Sequence, residues 1–177
     1  TNMLSHGMCE FINNKDQLDL LRNDETLISS AIEEILRYHP PIQVNNRRNK
    51  KDTILENKKI PKGTSVHMII AAANRDPKQF NNPDKFIVSR KPNKHLSFGL
   101  GIHICAGNTL ARIEGRVAFL KLIRSFKDFN LQAKPKIANR IRFREIIELN
   151  IEVWAFLHED TVCVLLPGRI DPGSEKL

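Results

Sequence analysis

The chain has 177 residues, of which 41% are hydrophobic and 27% are charged, a composition typical of a soluble globular domain. No run of about 18 apolar residues occurs, which excludes a transmembrane helix, and the three distant cysteines predict neither a disulfide framework nor a thiolate zinc site. The formal net charge of +8 favours anionic partners, so nucleic acid, an anionic cofactor and an acidic protein are all compatible with it.

The start of the chain has neither the basic region nor the cleavage site of a signal peptide, and it does not begin with Met. The distant cysteines favour a reducing, cytoplasmic setting, and because the chain does not begin with Met we expect it to be a fragment or a processed piece.

Three helices are predicted at the start of the chain. The first two cover residues 2–12 and 14–24. In the third, within residues 25–41, apolar residues recur with the helical period until Pro40 and Pro41 end the helix.

Residues 42–73 contain the short β-like runs IQVNN, TILEN and SVHMIIAAA, with a turn at IPKGT, and therefore predict a small sheet. Residues 74–95 contain three prolines and few apolar residues, which predicts a long ordered loop. A helix with Cys105 at its N-terminal edge is expected to run to about Phe126, with a stripe at Leu110, Ile113, Val117, Leu120 and Ile123 or Arg124. After it, FNLQA and RIRFREIIELNIEVWAFL predict a second sheet, and the last 11 residues a frayed tail.

The stretch LSFGLGIHICAG, residues 96–107, carries one cysteine and one histidine among three glycines. A thiol at a helix N-terminus meets unpaired N–H groups and the positive end of the helix dipole, both of which favour the thiolate. The glycines let the backbone turn sharply and approach a flat ligand. The combination suits an anionic sulfur that donates to a metal.

Other interpretations of Cys105 are weaker. A nucleophilic cysteine would need a base and an oxyanion site, and no such group is evident in the sequence. Zinc would need more ligands than His103 and Cys105. A buried cysteine in a glycine turn remains the plain structural alternative.

Five residues of this stretch match the cysteine-ligand loop of the cytochrome P450 haem-thiolate monooxygenases: Phe98, Gly101, His103, Cys105 and Gly107. The following NTLARIE resembles the family helix that continues from this loop. The resemblance implies that Cys105 is the axial ligand of the haem iron and the catalytic residue. It also implies that cofactor-binding residues surround it: Phe98, Gly99, Gly101, His103 and Gly107.

Two further segments resemble the same family. EEILRYHPP places Glu34 and Arg37 on one helical face, and residues 74–90 are similar to the family's meander. Arg90 then occupies the place of the third member of a Glu–Arg–Arg group that braces the cysteine loop. Without the resemblance, Glu34 and Arg37 would be interpreted as a solvated ion pair of little energetic value.

The resemblance also implies which residues meet the haem propionates. Arg47 and His103 match the two partners, and a guanidinium and an imidazole are suitable donors to carboxylates. Arg48 could take the role of Arg47. His95 is expected to be a packing histidine.

Ile42 and Val44 look like substrate-pocket positions by the same resemblance, although any half-buried strand would give this pattern.

The implied fold is the C-terminal portion of a prokaryotic, soluble-type cytochrome P450, mainly α with small β-sheets (α+β). The implied cofactor is haem b, whose thiolate ligand favours O–O cleavage, and the implied reaction inserts one oxygen atom into a small organic substrate. Electrons would come from a redox partner such as a ferredoxin and its reductase. We expect no nucleic-acid or membrane partner, and a monomer when the protein is intact.

The resemblance covers roughly residues 1–153, whereas residues 154–177 run beyond the usual family end. Residues 1–11 resemble the second half of the helix over the distal haem face, so the acid and the alcohol that deliver protons to oxygen would precede Thr1. We therefore expect the chain alone to hydroxylate nothing and part of its apolar stripe to remain exposed. Two alternatives stay open: a haem-binding remnant without catalysis, and a basic nucleic-acid-binding domain, which the low aromatic content disfavours.

Overall fold

Three helices form the first part of the fold, as the hydrophobic period predicts. They are α1 (Asn2–Asn13), α2 (Lys15–Asn23) and α3 (Ile28–Tyr38) in a computed structural model that describes residues 2–155 and 161–167. A short 3₁₀ turn at Glu25–Leu27 links the last two, and Asp24 caps it by accepting a hydrogen bond from the Thr26 amide at 3.0 Å.

The main core lies between these helices and the long helix α5 (Asn108–Ser125). Its fully buried apolar side chains include Phe11, Leu18, Leu21, Ile32, Ile35 and Phe119. Burying one such side chain stabilises the fold by about 1.5–3 kcal/mol, so this packing fixes the position of α3 relative to α5.

The predicted apolar stripe of α5 is split between core and solvent. Ile123 is buried together with Phe119, whereas Leu110, Ile113 and Val117 are 60%, 44% and 62% exposed. The expectation that these three side chains stay uncovered is thus confirmed.

The segment after α3 forms two antiparallel ribbons. β1 (Val44–Arg48) pairs with β4 (Ser65–Ile69), and β2 (Thr53–Leu55) pairs with β3 (Lys58–Ile60). The prediction that SVHMIIAAA is β-like throughout is wrong in its second half.

The chain turns there into a short helix, α4 (Ile70–Ala73), because alanine has the highest helix propensity and the Asn74 amide donates to the Ile70 carbonyl at 2.9 Å.

No helix or strand forms between α4 and the 3₁₀ turn at Gly101–His103 in the part of the chain described, so the predicted long ordered loop is confirmed. This segment, residues 74–100, runs past the C-terminal half of α3 and leads into the cysteine loop.

The second sheet is antiparallel and centres on β7 (Ile146–Ala155), which pairs with β5 (Phe126–Leu131), β6 (Lys136–Ile137) and β8 (Thr161–Pro167). Residues 140–145, predicted as strand, contribute a single bridge from Phe143 to Ile42, because this segment pairs with the residues just before β1, where the Gln43 amide donates to the Arg142 carbonyl at 2.9 Å.

β7 continues two residues past position 153, where the resemblance was expected to end. The rest of the predicted tail, residues 168–177, lies outside the described residues.

The fold is therefore a mixture of helices and small sheets, as the sequence predicts. Among the described helices, none has the length and apolar character needed to cross a membrane.

Candidate cofactor site around Cys105

The backbone of the cysteine loop is held by its own hydrogen bonds. The Gly99 amide donates to the Leu96 carbonyl at 2.9 Å, and the Cys105 amide donates to the Phe98 carbonyl at 2.8 Å. Gly99 and Gly101 have φ values of +74° and +72°, a left-handed conformation that side-chain-bearing residues rarely adopt. The two glycines thus let the loop close with the Cys105 thiol exposed.

Cys105 lies three residues before the start of α5. The Asn108 side-chain amide donates to the Cys105 carbonyl at 2.6 Å, which ties the cysteine to the first turn of the helix. A methyl group added at Gly107 would lie 4.0 Å from the cysteine sulfur, within van der Waals contact. Gly107 therefore keeps the space next to the thiol open.

An open cleft of about 290 Å³ faces the loop. Its apolar walls come from three parts of the chain: Ile42, Ile70, Leu96, Phe98 and Leu100. Its polar side chains include Asn45, Arg47, His103 and Cys105. The cleft thus combines an apolar interior with a soft sulfur ligand and three nitrogen-bearing side chains.

The structure brings most of the predicted site residues to this cleft. Arg47, His103 and Cys105 line it together, although they come from β1 and from the cysteine loop. Ile42 also lines it, whereas Val44 pairs with Ile69 in the ribbon and is not among the residues lining the cleft.

Arg48 is exposed one position along β1 and does not line the cleft, so the geometry favours Arg47 over this alternative. Gly101 and Gly107 shape the loop without lining the cleft.

A buried charged cluster joins α3 to the segment that leads into the loop. Glu34 and Arg37 are fully buried and Arg90 is nearly so. The Glu34 carboxylate accepts from Arg37 Nε at 2.8 Å and from Arg90 Nε at 3.0 Å. It also accepts from Asn93 Nδ2 at 3.1 Å and from the Ile87 amide at 2.9 Å. The structure therefore brings together the three charged residues predicted to brace the loop.

The two arginines of this cluster also fasten the meander. Arg37 donates to the carbonyls of Asn74, Pro83 and Lys85, and Arg90 to those of Asn81, Asn82 and Lys85. Because these carbonyls belong to a segment without helix or strand hydrogen bonds, the arginines supply the donors that its backbone needs.

A second charged cluster, which the sequence did not predict, joins Glu33 of α3 to His95, just before the loop, and to Arg112 of α5. Glu33 accepts from Arg112 Nε at 2.6 Å and Nη2 at 2.9 Å, and from His95 Nε2 at 3.0 Å. His95 Nδ1 accepts from the Ser97 amide at 3.2 Å, which assigns the ring proton to Nε2. The guanidinium of Arg112 also lies over the Phe98 ring, 4.7 Å from its centroid.

This second cluster holds a charged carboxylate. Burial alone would raise the pKa of Glu33, but the hydrogen bonds from His95 and Arg112 outweigh it and lower the pKa to about 2. The His95 side chain is only 3% exposed, as expected of a packing histidine, but it is also hydrogen-bonded at both nitrogens. No spacing in the sequence could reveal this cluster, because Arg112 lies 79 positions from Glu33.

The residues of the cleft limit how a metal could bind there. In the described part of the chain, no group of three or more His, Cys, Asp or Glu side chains could hold a bare metal ion. A ligand that entered the cleft could supply the remaining donors to a metal bound by the Cys105 sulfur. A flat, apolar, metal-bearing ligand with anionic edge groups fits the walls, the thiol and the cation at Arg47.

Comparisons with known proteins all point to one family. The cytochrome P450 family model matches residues 12–145. Cytochrome P450 CYP107DY1 of Priestia megaterium is 36% identical over 152 residues, which cover 85% of this chain and 37% of that protein. The biotin biosynthesis cytochrome P450 of Bacillus subtilis is 40% identical over 130 residues, which cover 73% of this chain and 33% of that protein.

The fold has solved counterparts as well. P450BioI, crystallised in complex with hexadec-9Z-enoic acid ligated acyl carrier protein, matches with a TM-score of 0.83 and 37% sequence identity. The match covers 87% of this chain and 40% of that chain, so the chain spans less than half the length of these relatives. Because the family model covers most of the chain and the fold agrees, the chain belongs to the cytochrome P450 family.

Proposed function

We propose that Cys105 binds haem b as the axial ligand of its iron, and that the protein containing this chain is a haem-thiolate monooxygenase. The observation that carries the proposal is the shared cleft, in which the exposed Cys105 thiol faces apolar walls and lies with Arg47 and His103. Members of the family bind haem b, which supports the same ligand here.

The residues of the cleft fit this cofactor. Haem is a flat apolar ring with two carboxylates at one edge, and the walls at Ile42, Ile70 and Leu100 would contact the ring. Arg47 and His103 would donate to the carboxylates. In the described residues, the hydrogen bonds of the Arg47 side chain start from Nη1 and reach Asn45 and Asn46 of its own strand, so the other guanidinium N–H groups could donate to a carboxylate.

When bound, haem supplies a redox-active iron, and a thiolate ligand adds electron density that favours O–O cleavage. The chain's own residues do the positioning. The glycine turns at Gly99 and Gly101 present the Cys105 sulfur to the cleft, and the cluster around Glu34 holds the segment that leads into the loop.

The reaction that follows is insertion of one oxygen atom from O2 into a small organic substrate. Electrons would come from a ferredoxin and its reductase, and the net charge of +8 suits an acidic redox protein. The acyl carrier protein in the P450BioI complex supports including carrier-bound fatty acids among the substrates to be tested.

A haem-binding remnant without turnover is a second candidate for the chain acting alone. The exposed side chains of Leu110, Ile113 and Val117 favour it, because an uncovered apolar face on α5 indicates that further protein is needed to complete the packing. We therefore propose that this chain alone binds haem without hydroxylating a substrate.

The test supplies haem, a ferredoxin with its reductase, ¹⁸O2 and a panel of free and carrier-bound fatty acids and terpenes. For the full-length protein we expect product carrying one ¹⁸O atom, and no product from the Cys105→Ala variant. For the chain alone we expect haem uptake without product. Turnover by the chain comparable to that of the full-length protein would contradict the proposal that it is inactive alone.

A further inference from the structure

Asn74, the residue that follows α4, is fully buried and uses both ends of its side chain. Its Oδ1 accepts from the Leu96 amide at 2.8 Å, and its Nδ2 donates to Ser97 Oγ at 2.9 Å. Both partners lie in the segment that enters the cysteine loop, 22 and 23 positions further along the chain.

The same residue is fastened to α3. Its backbone carbonyl accepts from Arg37 Nη1 at 2.9 Å, and Ser97 Oγ donates onward to the Leu36 carbonyl at 2.6 Å. Asn74 and Ser97 therefore connect the helix that carries the Glu34 cluster with the entry to the loop.

From Leu96 the hydrogen bonds continue to the thiol-bearing residue. The Leu96 carbonyl accepts from the Gly99 amide, and the Phe98 carbonyl accepts from the Cys105 amide. A displacement of Leu96 would thus move the turn that sets the backbone of Cys105.

We propose that Asn74 is a positioning residue for Cys105: its side-chain amide fixes Leu96 and Ser97 against α3 and so sets the place of the thiol in the cleft. This rests on the proposed function, in which Cys105 is the haem ligand. Only a side chain with one acceptor and one donor satisfies both partners, because aspartate lacks the donor and leucine lacks both.

Two variants of Asn74 test the proposal. In Asn74→Leu the Leu96 amide loses its acceptor in a buried setting, so its hydrogen exchange should accelerate about tenfold or more. In Asn74→Asp the acceptor for the Leu96 amide remains, whereas the donor to Ser97 is replaced by a second carboxyl oxygen, so the Leu96 exchange should accelerate less than in Asn74→Leu. Exchange is measured by NMR on the full chain without haem.

A second readout uses the haem-loaded protein. We expect the reduced, carbon-monoxide-bound spectrum of Asn74→Leu to lose part of its red-shifted, thiolate-type band. Leu149→Ala is the matched control, because it removes a buried side chain from β7 without touching the loop. This control should keep the band and the slow exchange of Leu96.

The outcomes separate the two proposals. A thiolate-type band and slow Leu96 exchange in both Asn74 variants would overturn the positioning role, as would equal losses in Leu149→Ala. If Asn74→Leu does not fold, Asn74→Asp decides by the same criteria. If the unaltered protein shows no thiolate-type band but Leu96 exchanges faster in the Asn74 variants, the proposed function is overturned. The hydrogen bonds of Asn74 would then still be shown to fix the entry to the loop.

Discussion

Replacing Glu34 by glutamine should destabilise the fold strongly. Glu34 is fully buried and is the anion shared by Arg37 and Arg90. Glutamine has nearly the same shape, so it creates no cavity, but it leaves two guanidinium groups without a counter-charge. Its amide also turns a donor toward groups that are themselves donors.

The size of the effect follows from the contacts that are lost. Each of the two arginines makes charge-assisted hydrogen bonds to Glu34, at 2.8 Å and 3.0 Å, and such bonds contribute about 1.5–3 kcal/mol apiece. Breaking a buried ion pair by removing one partner costs about 3–5 kcal/mol, which is the same range. We therefore expect Glu34→Gln to lower the free energy of unfolding by about 3–5 kcal/mol.

The assay is urea unfolding followed by far-UV circular dichroism. With a typical slope for a chain of this size, the loss corresponds to a midpoint shift of about 2 M urea. Glu25→Gln is the matched control, because Glu25 pairs with Arg124 at the surface, where the charges are solvated. Its midpoint should not change measurably, and equal midpoints for the two variants would refute the reasoning.

Three further predictions concern the core, pH and thiol reactivity. Phe119→Ala should cost about 3–5 kcal/mol because Phe119 is fully buried, whereas Leu110→Ala on the exposed side of α5 should change the urea midpoint little. Burial and the neighbouring His39 ring lower the pKa of His6 from 6.5 to about 4. Because His6 therefore binds a proton more readily in the unfolded chain, the free energy of unfolding should fall as the pH drops from about 6.5 to 4. The loss should total about 3 kcal/mol and be absent in His6→Asn; an unchanged pH profile in that variant would contradict it. Burial raises the pKa of the Cys9 thiol to about 11, so iodoacetamide at neutral pH should label the exposed Cys105 well before Cys9. Mass spectrometry would follow the labelling, and equal rates at the two cysteines would argue against the burial of Cys9.

The hydrophobic period predicted the helices well because their apolar residues repeat locally. It located α3 and α5, since the signal needs only residues three or four positions apart. The hydrophobic period does not determine which side of α5 faces the core. Phe119 and Ile123 are buried while Leu110 is exposed, and only the packing against α1 and α3 decides this.

Local propensity misled the prediction where two signals competed. The run SVHMIIAAA starts as a β-branched strand and ends in three alanines, and the structure changes from β4 to α4 within it. The hydrogen bonds of Asn74 to a distant segment accompany that change, and no local pattern contains them.

The site was predictable to the extent that it lies in one continuous stretch. Cys105 and its glycines are close in sequence, so a glycine-rich loop that presents a thiol just before a helix could be predicted from the sequence, and the family resemblance added the expected haem. Contacts such as Glu33 with Arg112 join positions far apart in the chain, and their residue types are common on protein surfaces. Such contacts become visible only once the fold brings them together.

The claim that Cys105 is the axial ligand is tested most directly by the reduced, carbon-monoxide-bound absorption spectrum of the haem-loaded protein. The account predicts a red-shifted, thiolate-type Soret band in the unaltered protein and in the control Cys9→Ala, and its loss in Cys105→Ala. A thiolate-type band that survives Cys105→Ala unchanged would contradict the account.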